Sequence, residues 1–173
     1  MTYSRRMQIT RRRFLAYGAA AGASIVASGS LWAYLSGDTD ERVPLDDGSA
    51  IAERADLLEA GGVSPSAARL VALLPSAEDA AAVGEQALAE GVGGGDTESL
   101  VERLTPVLFP EGGPTTAAGF SAARETLRQR IAEDFAEERV DLVDGWLLSE
   151  TLIELCVLAA RVQAPYAGSG RLA

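Results

Sequence analysis

The sequence contains no histidine, no lysine and no asparagine, so its fifteen basic side chains are all arginines. Without histidine, this chain cannot by itself form a Ser-His-Asp or Cys-His catalytic site, or a histidine-ligated metal site. Without lysine, it excludes Schiff-base chemistry and a Walker-type phosphate loop. Carboxylates are therefore the most versatile groups left for acid/base chemistry.

Cysteine is almost absent as well. Cys156 is the only cysteine among 173 residues, which excludes an intrachain disulfide and means that packing must hold the fold together. It lies in the apolar stretch 155–158, so we expect a buried, unreactive thiol, with a mixed disulfide to a partner as the alternative. The chain is 47% apolar and 23% charged, which is normal for a globular protein of one domain.

Charge is distributed unevenly along the chain. Residues 1–36 carry five arginines and no acid, whereas residues 37–173 carry ten arginines and all twenty-five acids, so the net charge of −10 divides into +5 and −15. Because so acidic a body repels phosphate backbones, we expect no nucleic-acid partner. The acidic excess fits either ordinary solubility or adaptation to high salt, and the sequence favours neither interpretation.

The amino-terminal region has the order of an export signal, a basic stretch followed by an apolar one. Thr10, Arg11, Arg12, Phe14 and Leu15 resemble the twin-arginine signal, in which Ser or Thr precedes two arginines, any residue, Phe and Leu. The resemblance implies recognition by the twin-arginine translocation machinery and an extracytoplasmic location, in the periplasm or at the cell exterior. The alternative is that the arginines are the cytoplasmic stop of an ordinary membrane anchor.

An uncharged segment follows the arginines. Residues 14–35 are 22 uncharged residues, long enough to span a bilayer of about 30 Å at about 1.5 Å per residue. Trp32 and Tyr34 near its far end are typical of a membrane interface. Small residues in Ala27-Ser28-Gly29 also suit a cleavage site. We expect attachment to the membrane through residues 14–35 by an uncleaved or slowly cleaved signal, with removal as the alternative.

The rest of the chain predicts an all-α architecture: an N-terminal signal or anchor helix followed by a compact domain of five or six helices. We assign residues 1–36 to the signal or anchor, 37–49 to an acidic linker, 50–165 to the helical domain and 166–173 to a flexible tail. Residues that favour helix starts or ends divide the domain: Gly61-Gly62, Ser64-Pro65, Ser76 with Asp79, Asp96 and Ser149.

Apolar spacing predicts which helix faces are buried. Val83 and Leu88 are expected to point inward from a helix that ends at Glu90. A loop is predicted over 107–116, and the segment 147–162 is apolar over so much of its circumference that we expect it to be the central helix.

The most regular stripe lies further along the chain, in a helix predicted to reach about Glu138. Its expected inward residues are Phe120, Leu127, Ile131 and Phe135.

A short β-hairpin is the one departure from helix that the sequence indicates. Asp144-Gly145 is a hairpin-type turn within 139–148. Trp146 follows this turn directly and is expected either to seal the core or to anchor a partner. We favour the core, because Leu147, Leu148 and Leu152 surround it in sequence.

Three motifs have a functional and a structural interpretation. Ser121 lies in a stretch that resembles a nucleophile elbow, but no strand precedes it and no histidine can activate it, which favours a helix surface. The glycines of residues 91–95 follow a predicted helix rather than a strand, which favours a connector over a phosphate site. Carboxylate pairs one turn apart could serve a hydrolase, although so acidic a chain produces them by chance: Glu133 with Glu137, and Glu150 with Glu154.

One set of residues is similar to small bacterial proteins with twin-arginine signals: Glu133-Asp134-Phe135, Val143 to Ser149 with Thr151, Leu155-Cys156 and Leu158-Ala159. In organisation the chain resembles the small (gamma) subunit of membrane-bound gluconate and sorbitol dehydrogenases. The resemblance implies a non-catalytic accessory subunit whose larger oxidoreductase partner carries the flavin or haem, with no cofactor on this chain. The alternative is a stand-alone exported helical protein, binding or structural, from a salt-adapted organism.

Overall fold

The computed structural model of the chain describes residues 48–110 and 112–167. The predicted export signal, the uncharged segment, most of the acidic linker and the end of the tail lie outside these residues. The described part is mostly helical with one two-stranded antiparallel sheet, so the predicted helical domain with a hairpin is confirmed there. Its elements are α1 Gly48–Ala60, α2 Pro65–Ala72, α3 Ala77–Ala89, α4 Thr97–Leu108, α5 Ala117–Ala136, β1 Val140–Val143, β2 Trp146–Ser149 and α6 Glu150–Ala167.

The predicted helix starts are confirmed in detail at α3 and α4. The Ser76 hydroxyl accepts a hydrogen bond from the Asp79 N–H (3.2 Å), and an Asp96 carboxylate oxygen accepts one from the Ser99 N–H (2.8 Å). Each bond satisfies an N–H group that has no partner within its helix. The Ser99 N–H, followed by the Ser99 hydroxyl, lowers the pKa of Asp96 because both donate to its ionised form.

The predicted break after α1 is also confirmed. The Val63 N–H donates to the Leu58 carbonyl (3.1 Å) and the Gly62 N–H donates to the Glu59 carbonyl (2.9 Å), which is the pattern of a Schellman cap. Gly62 has a φ of 93°, a left-handed conformation that glycine adopts without steric cost. Pro65 then occupies the first turn of α2, as its fixed φ favours.

Helix α4 ends later than predicted, because it continues to Leu108 through part of the expected loop. Pro106 lies inside the helix and lacks the N–H that would bond one turn back. Leu104 and Leu108 are both buried in the core, and their burial keeps the last turn helical. Tertiary packing therefore overrides the local signal of Pro106.

Helix α6 forms the centre of the domain, as expected. It contacts α2, α3, α4, α5 and β2, and its first half is buried almost all round. It begins at Glu150 rather than at Leu147, because Leu147 and Leu148 belong to β2. The buried residues of α6 are Thr151, Leu152, Ile153, Leu155, Cys156, Val157, Leu158, Ala159, Ala160 and Val162.

The closest helix packing is between α3 and α6, and it corrects the predicted inward face of α3. Val83 and Leu88 do pack against the core, but both are only half-buried. The face that meets α6 consists instead of small residues, Ala80, Ala81, Gly84 and Ala87. A Cβ atom at Gly84 would lie 2.0 Å from the carbonyl oxygen of Cys156. The two backbones approach because side chains are small or missing, and apolar periodicity does not reveal this arrangement.

The predicted stripe on α5 is correct over its first half and wrong at its end. Phe120 and Leu127 are buried and Ile131 is half-buried, but Phe135 is 46% exposed. At about 3.6 residues per turn, Phe135 is rotated by about 60° from Phe120, and the inward position of the last turn goes to Asp134. The helix ends at Ala136, short of the predicted Glu138.

The hairpin confirms the predicted turn. Strands β1 and β2 pair in a register that runs from Val143 opposite Trp146 to Val140 opposite Ser149. Asp144 and Gly145 form the two-residue connection with φ values of 49° and 81°, as a type I′ turn requires. The Asp144 N–H also donates to the Glu90 carboxylate (3.1 Å), which fixes the turn to the end of α3.

Cys156 is fully buried, as predicted, and burial raises the pKa of its thiol from 9.0 to about 12. The thiol of the unfolded chain ionises at lower pH, so its contribution to stability is complete below pH 9.0 and is lost as the pH rises towards about 12. We expect the free energy of unfolding of the wild type to fall by about 1.4 kcal/mol more than that of Cys156→Ala between about pH 8 and about pH 10. Urea denaturation at both pH values measures this, and equal losses in the two proteins would contradict the burial of the thiol.

Candidate functional site

A buried carboxylate connects three elements around the hairpin. Asp134, with only 1% of its surface exposed, lies near the end of α5. One of its carboxylate oxygens accepts hydrogen bonds from Nε and Nη2 of Arg139 (2.9 and 2.8 Å), and the other accepts one from the Thr151 N–H (2.9 Å). Asp134 therefore links α5 to the residue before β1 and to the first turn of α6.

Two further bonds hold the start of α6 against the hairpin. The Ser149 hydroxyl accepts from the Leu152 N–H (3.2 Å), as the sequence predicts for a helix-capping serine. The Glu150 N–H donates to the Arg139 carbonyl (3.0 Å). Because Ser149 is the last residue of β2, the hairpin is fixed at its base by α6 and at its turn by α3.

Sequence reasoning missed the role of Asp134. In the sequence, Asp134 stands out only as part of a motif, because an aspartate in an arginine- and glutamate-rich helix is usually solvated. Two features of the sequence do indicate that Asp134 is buried and paired. Asp134 shares the inward face of the helix with Phe120 and Leu127, and Arg139 follows it five residues later. A carboxylate on an apolar helix face requires a partner, and Arg139 provides it.

A groove of about 330 Å³ opens beside this connection, between α4, the end of α5 and the first turns of α6. Asp134 and Thr151 line it together with the apolar side chains of Leu104 and Val107. Its other lining residues are charged, namely Arg103, Arg130, Glu150 and Glu154. The groove therefore combines both charge signs with a small apolar area.

Three of the four carboxylates predicted as acid/base pairs, Glu133, Glu137 and Glu154, form ion pairs with arginines. Arg103 Nη2 lies 2.9 Å from the Glu154 carboxylate, and Arg130 Nη1 lies 3.1 Å from that of Glu133. Glu137 forms an ion pair with the arginine that also contacts Asp134. Acid/base catalysis by two carboxylates needs one of them desolvated and ready to carry a proton. Glu133 and Glu137 are instead more than half exposed and neutralised by opposite charge.

For the other two sequence motifs, the structure agrees with the structural interpretation rather than the functional one. Ser121 lies exposed in the second turn of α5, where no strand precedes it. Gly91, Gly94 and Gly95 are exposed residues of the connection between α3 and α4. The Gly94 carbonyl accepts a hydrogen bond from Arg103 (3.1 Å), which ties the connection to α4.

Trp146 does not belong to the core, so the interpretation that the sequence favours was wrong. Its side chain is 37% exposed at the start of β2, opposite the buried Val143. Leu142, opposite Leu147 and on the other face of the hairpin, is 44% exposed. Successive residues of β2 alternate between the two faces of the hairpin, and the neighbouring leucines in sequence do not enclose the indole. The hairpin thus presents an apolar side chain on each face.

We expect Trp146→Ala to lower the free energy of unfolding by about 1–2 kcal/mol, below the 3–5 kcal/mol of a fully buried aromatic residue. The reason is that a partly exposed indole loses only part of its apolar contact area in folding. Leu155→Ala, in the middle of α6 and fully buried, is the matched control and should cost about 2–5 kcal/mol. Urea denaturation of both variants measures the difference. An equal loss of unfolding free energy in the two variants would mean that Trp146 is buried in the core.

Comparison with protein families, curated proteins and solved structures gives no match for this chain. Within residues 48–110 and 112–167, no helix is both long and apolar enough to cross a bilayer. The same residues contain no group of three or more acidic or cysteine side chains arranged to hold a metal ion. Thr10, Arg11, Arg12, Phe14 and Leu15, the predicted targeting residues, lie outside the described part of the chain.

Proposed function

We propose that this chain is an exported, non-catalytic accessory subunit of a multisubunit redox enzyme. It supplies the export signal and the membrane attachment for a larger catalytic partner, which carries the flavin or haem. The observation that carries this proposal is the motif of residues 10–15, followed by the uncharged segment that ends at Leu35. Residues 14–35 attach the exported protein to the membrane, and the helical domain lies outside the cytoplasm.

The export route itself supports a partner. The twin-arginine machinery carries proteins that are already folded, and a helical domain held together by packing alone has no evident need of it. A subunit that assembles with a cofactor-containing partner in the cytoplasm does need it, because the cofactor must be inserted before export. The signal on this chain then serves both subunits.

The geometry of the domain supports a binding role over a catalytic one. Of the four glutamates that could act as acid and base, Glu133, Glu137 and Glu154 are paired with arginines. The hairpin, in contrast, is held in place at both ends and presents Trp146 and Leu142 to the surroundings. Rigid, partly exposed aromatic side chains are frequent hot spots of protein interfaces. We assign the partner interface to Trp146 and its neighbours on the hairpin.

We expect the double substitution Arg11→Lys, Arg12→Lys to leave a folded protein in the cytoplasm. The motif depends on two planar guanidinium groups, and lysine keeps their charge but not their geometry. Cell fractionation with a domain-specific antibody measures the distribution.

The matched control is Arg5→Lys, Arg6→Lys, which makes the same chemical change outside the motif and should leave export unchanged. Normal export of the Arg11 and Arg12 variant, or its export in an unfolded state, would contradict the assignment of the signal.

The second candidate is a stand-alone exported helical protein, binding or structural, from a salt-adapted organism. The acidic surface favours it, since residues 37–173 have a net charge of −15. The gene next to this one distinguishes the candidates. The accessory role predicts a large oxidoreductase without a signal of its own, whereas the stand-alone role predicts no such neighbour.

A further inference from the structure

The groove between α4, the end of α5 and the first turns of α6 contains hydrogen-bonding groups that the described residues leave without a partner. Thr151 lines this groove and is only 6% exposed. Its N–H donates to Asp134 (2.9 Å), but its hydroxyl forms no hydrogen bond with any residue in the described part of the chain. Because hydroxyl groups buried to this extent normally have a partner, Thr151 points to a molecule bound in the groove.

The acidic side of the groove lies on the same helix. Glu154 follows Thr151 by about one turn, and its side chain is 21% exposed. Nε and Nη2 of Arg103 lie 3.0 and 2.9 Å from one of its carboxylate oxygens, Oε1. The other oxygen, Oε2, has no hydrogen bond to the residues that the structure describes. This oxygen and the Thr151 hydroxyl can both accept from an ammonium group, which has three donors to place.

The basic side of the groove consists of two arginines that keep unused donors. Arg103 binds Glu154 and the Gly94 carbonyl through Nε and Nη2, and its Nη1 has no hydrogen bond to the described residues. Arg130 donates to Glu133 through Nη1 (3.1 Å), and its Nη2 likewise has no partner within the described ranges. Guanidinium N–H groups bind a carboxylate through charge-assisted hydrogen bonds, so these arginines favour a ligand with a carboxylate.

The two charge signs lie side by side in the groove. Arg103 Nη2 is 2.9 Å from Glu154, so a donor for a carboxylate and an acceptor for an ammonium group are neighbours. An α-amino acid carries both groups on one carbon atom and therefore matches this arrangement. Asp134 adds little negative charge to the groove, because it forms an ion pair with Arg139. A simple anion or a simple cation would use only one side of the groove.

The size of the groove and its apolar residues limit the rest of the ligand. Its volume of about 330 Å³ is near the lower end of the range for small-molecule sites. Leu104 and Val107 form the apolar part of the lining, and Val107 is 39% exposed. A small aliphatic side chain suits these two residues, because it gives up no hydrogen bonds to water when it is buried.

We propose that the groove binds a free α-amino acid with a small aliphatic side chain. The ammonium group of the ligand donates to Glu154 and Thr151. Its carboxylate accepts from Arg103 and Arg130, and its side chain lies against the apolar residues of α4. This inference goes beyond the accessory role and does not rest on it, because no residue of the hairpin at 140–149 lines the groove.

Titration of the purified full-length chain with L-valine tests the proposal, with NMR of isotope-labelled protein in mild detergent as the measurement. We expect the backbone signals of the first turns of α6 to shift, with a Kd of about 1 mM or tighter for so small a ligand. Isovalerate lacks the ammonium group of valine, and isobutylamine lacks its carboxylate. Each analogue should bind at least about tenfold more weakly than L-valine, because it leaves one side of the groove unpaired.

Variants of Thr151 test the hydroxyl by itself. Thr151→Val keeps the shape of the side chain and the N–H that binds Asp134. We expect its affinity for L-valine to fall at least about fivefold, while its melting temperature does not fall because the hydroxyl has no partner among the described residues to lose. Thr151→Ser retains the hydroxyl and should bind within about twofold of the wild type.

A variant of Glu154 tests the acidic side. Glu154→Gln should bind L-valine at least about tenfold more weakly, because a neutral amide does not pair with the ammonium charge. Glu125→Gln is the matched control, since Glu125 also forms an ion pair with an arginine but does not line the groove. It should leave the affinity unchanged.

Unshifted signals of α6 in the presence of L-valine would overturn the proposal. Equal affinities for L-valine and either analogue, or a Thr151→Val variant that binds like the wild type, would overturn it as well. These measurements use purified protein and require neither export nor an oxidoreductase partner. Failure of this inference is therefore distinguishable from failure of the proposed function.

Discussion

We expect Gly84→Ala to destabilise the domain by about 3 kcal/mol, a large part of the 5–15 kcal/mol that holds a domain of this size together. Alanine normally favours a helix over glycine by about 1 kcal/mol, so helix propensity alone predicts the opposite sign. The new Cβ atom would lie 2.0 Å from the Cys156 carbonyl oxygen, which is backbone and cannot rotate away. Helices α3 and α6 must therefore separate along their closest contact.

Gly94→Ala is the matched control for this substitution. Gly94 is exposed and has no atom within 4 Å of the position of a new Cβ, so we expect a change within about 0.5 kcal/mol. Urea denaturation followed by circular dichroism measures both variants. If Gly84→Ala proved as stable as the wild type, the close approach of α3 to α6 would be wrong.

Asp134→Ala should destabilise the domain by a similar amount, about 3 kcal/mol. The substitution removes an acceptor with 1% exposure and leaves the Thr151 N–H without its partner at the start of α6. Arg139 would also lose its principal ion pair, although its side chain is 24% exposed and can regain some hydration. We therefore expect the lower end of the range known for broken buried pairs.

Glu133→Ala is the control beside it. The Glu133 side chain is 57% exposed and pairs with Arg130 within one helix turn, so its removal should cost no more than about 0.5 kcal/mol. Hydrogen exchange adds a local measurement, because the loss of Asp134 should accelerate exchange at the first turn of α6 more than elsewhere. Equal stabilities of the Asp134 and Glu133 variants would contradict the connecting role of Asp134.

Local features of this fold could be predicted because each depends on a few adjacent residues. Ser76, Asp96 and Ser149 satisfy N–H groups of their own helices, and the Asp-Gly turn adopts positive φ values with little regard to the rest of the chain. The central position of α6 was equally predictable, because a helix that is apolar on most sides must be buried.

The failures occurred where a contact with a distant element decides the outcome. Gly84 contributes to the core by having no side chain, which a search for large apolar residues does not register. Asp134, rather than Phe135, occupies the inward position in the last turn of α5. Its partners Arg139 and Thr151 lie outside α5 and are next to it only in the folded domain. Pro106 remained helical because the leucines around it are buried.

The candidate site was predictable only in part for the same reason. The position of Trp146 directly after the turn singles it out in the sequence. Its sequence neighbours suggest burial, but in the structure its side chain is 37% exposed.

The central claim is that this chain serves a larger redox subunit, and purification from membranes tests it most directly. The full-length chain with a carboxyl-terminal tag is extracted in mild detergent, captured, and the proteins retained with it are quantified together with their flavin and haem content. We expect a larger oxidoreductase in fixed stoichiometry, and its loss from the Trp146→Ala preparation while the variant remains folded. Recovery of the chain alone, with no oxidoreductase in fixed proportion, would contradict the account.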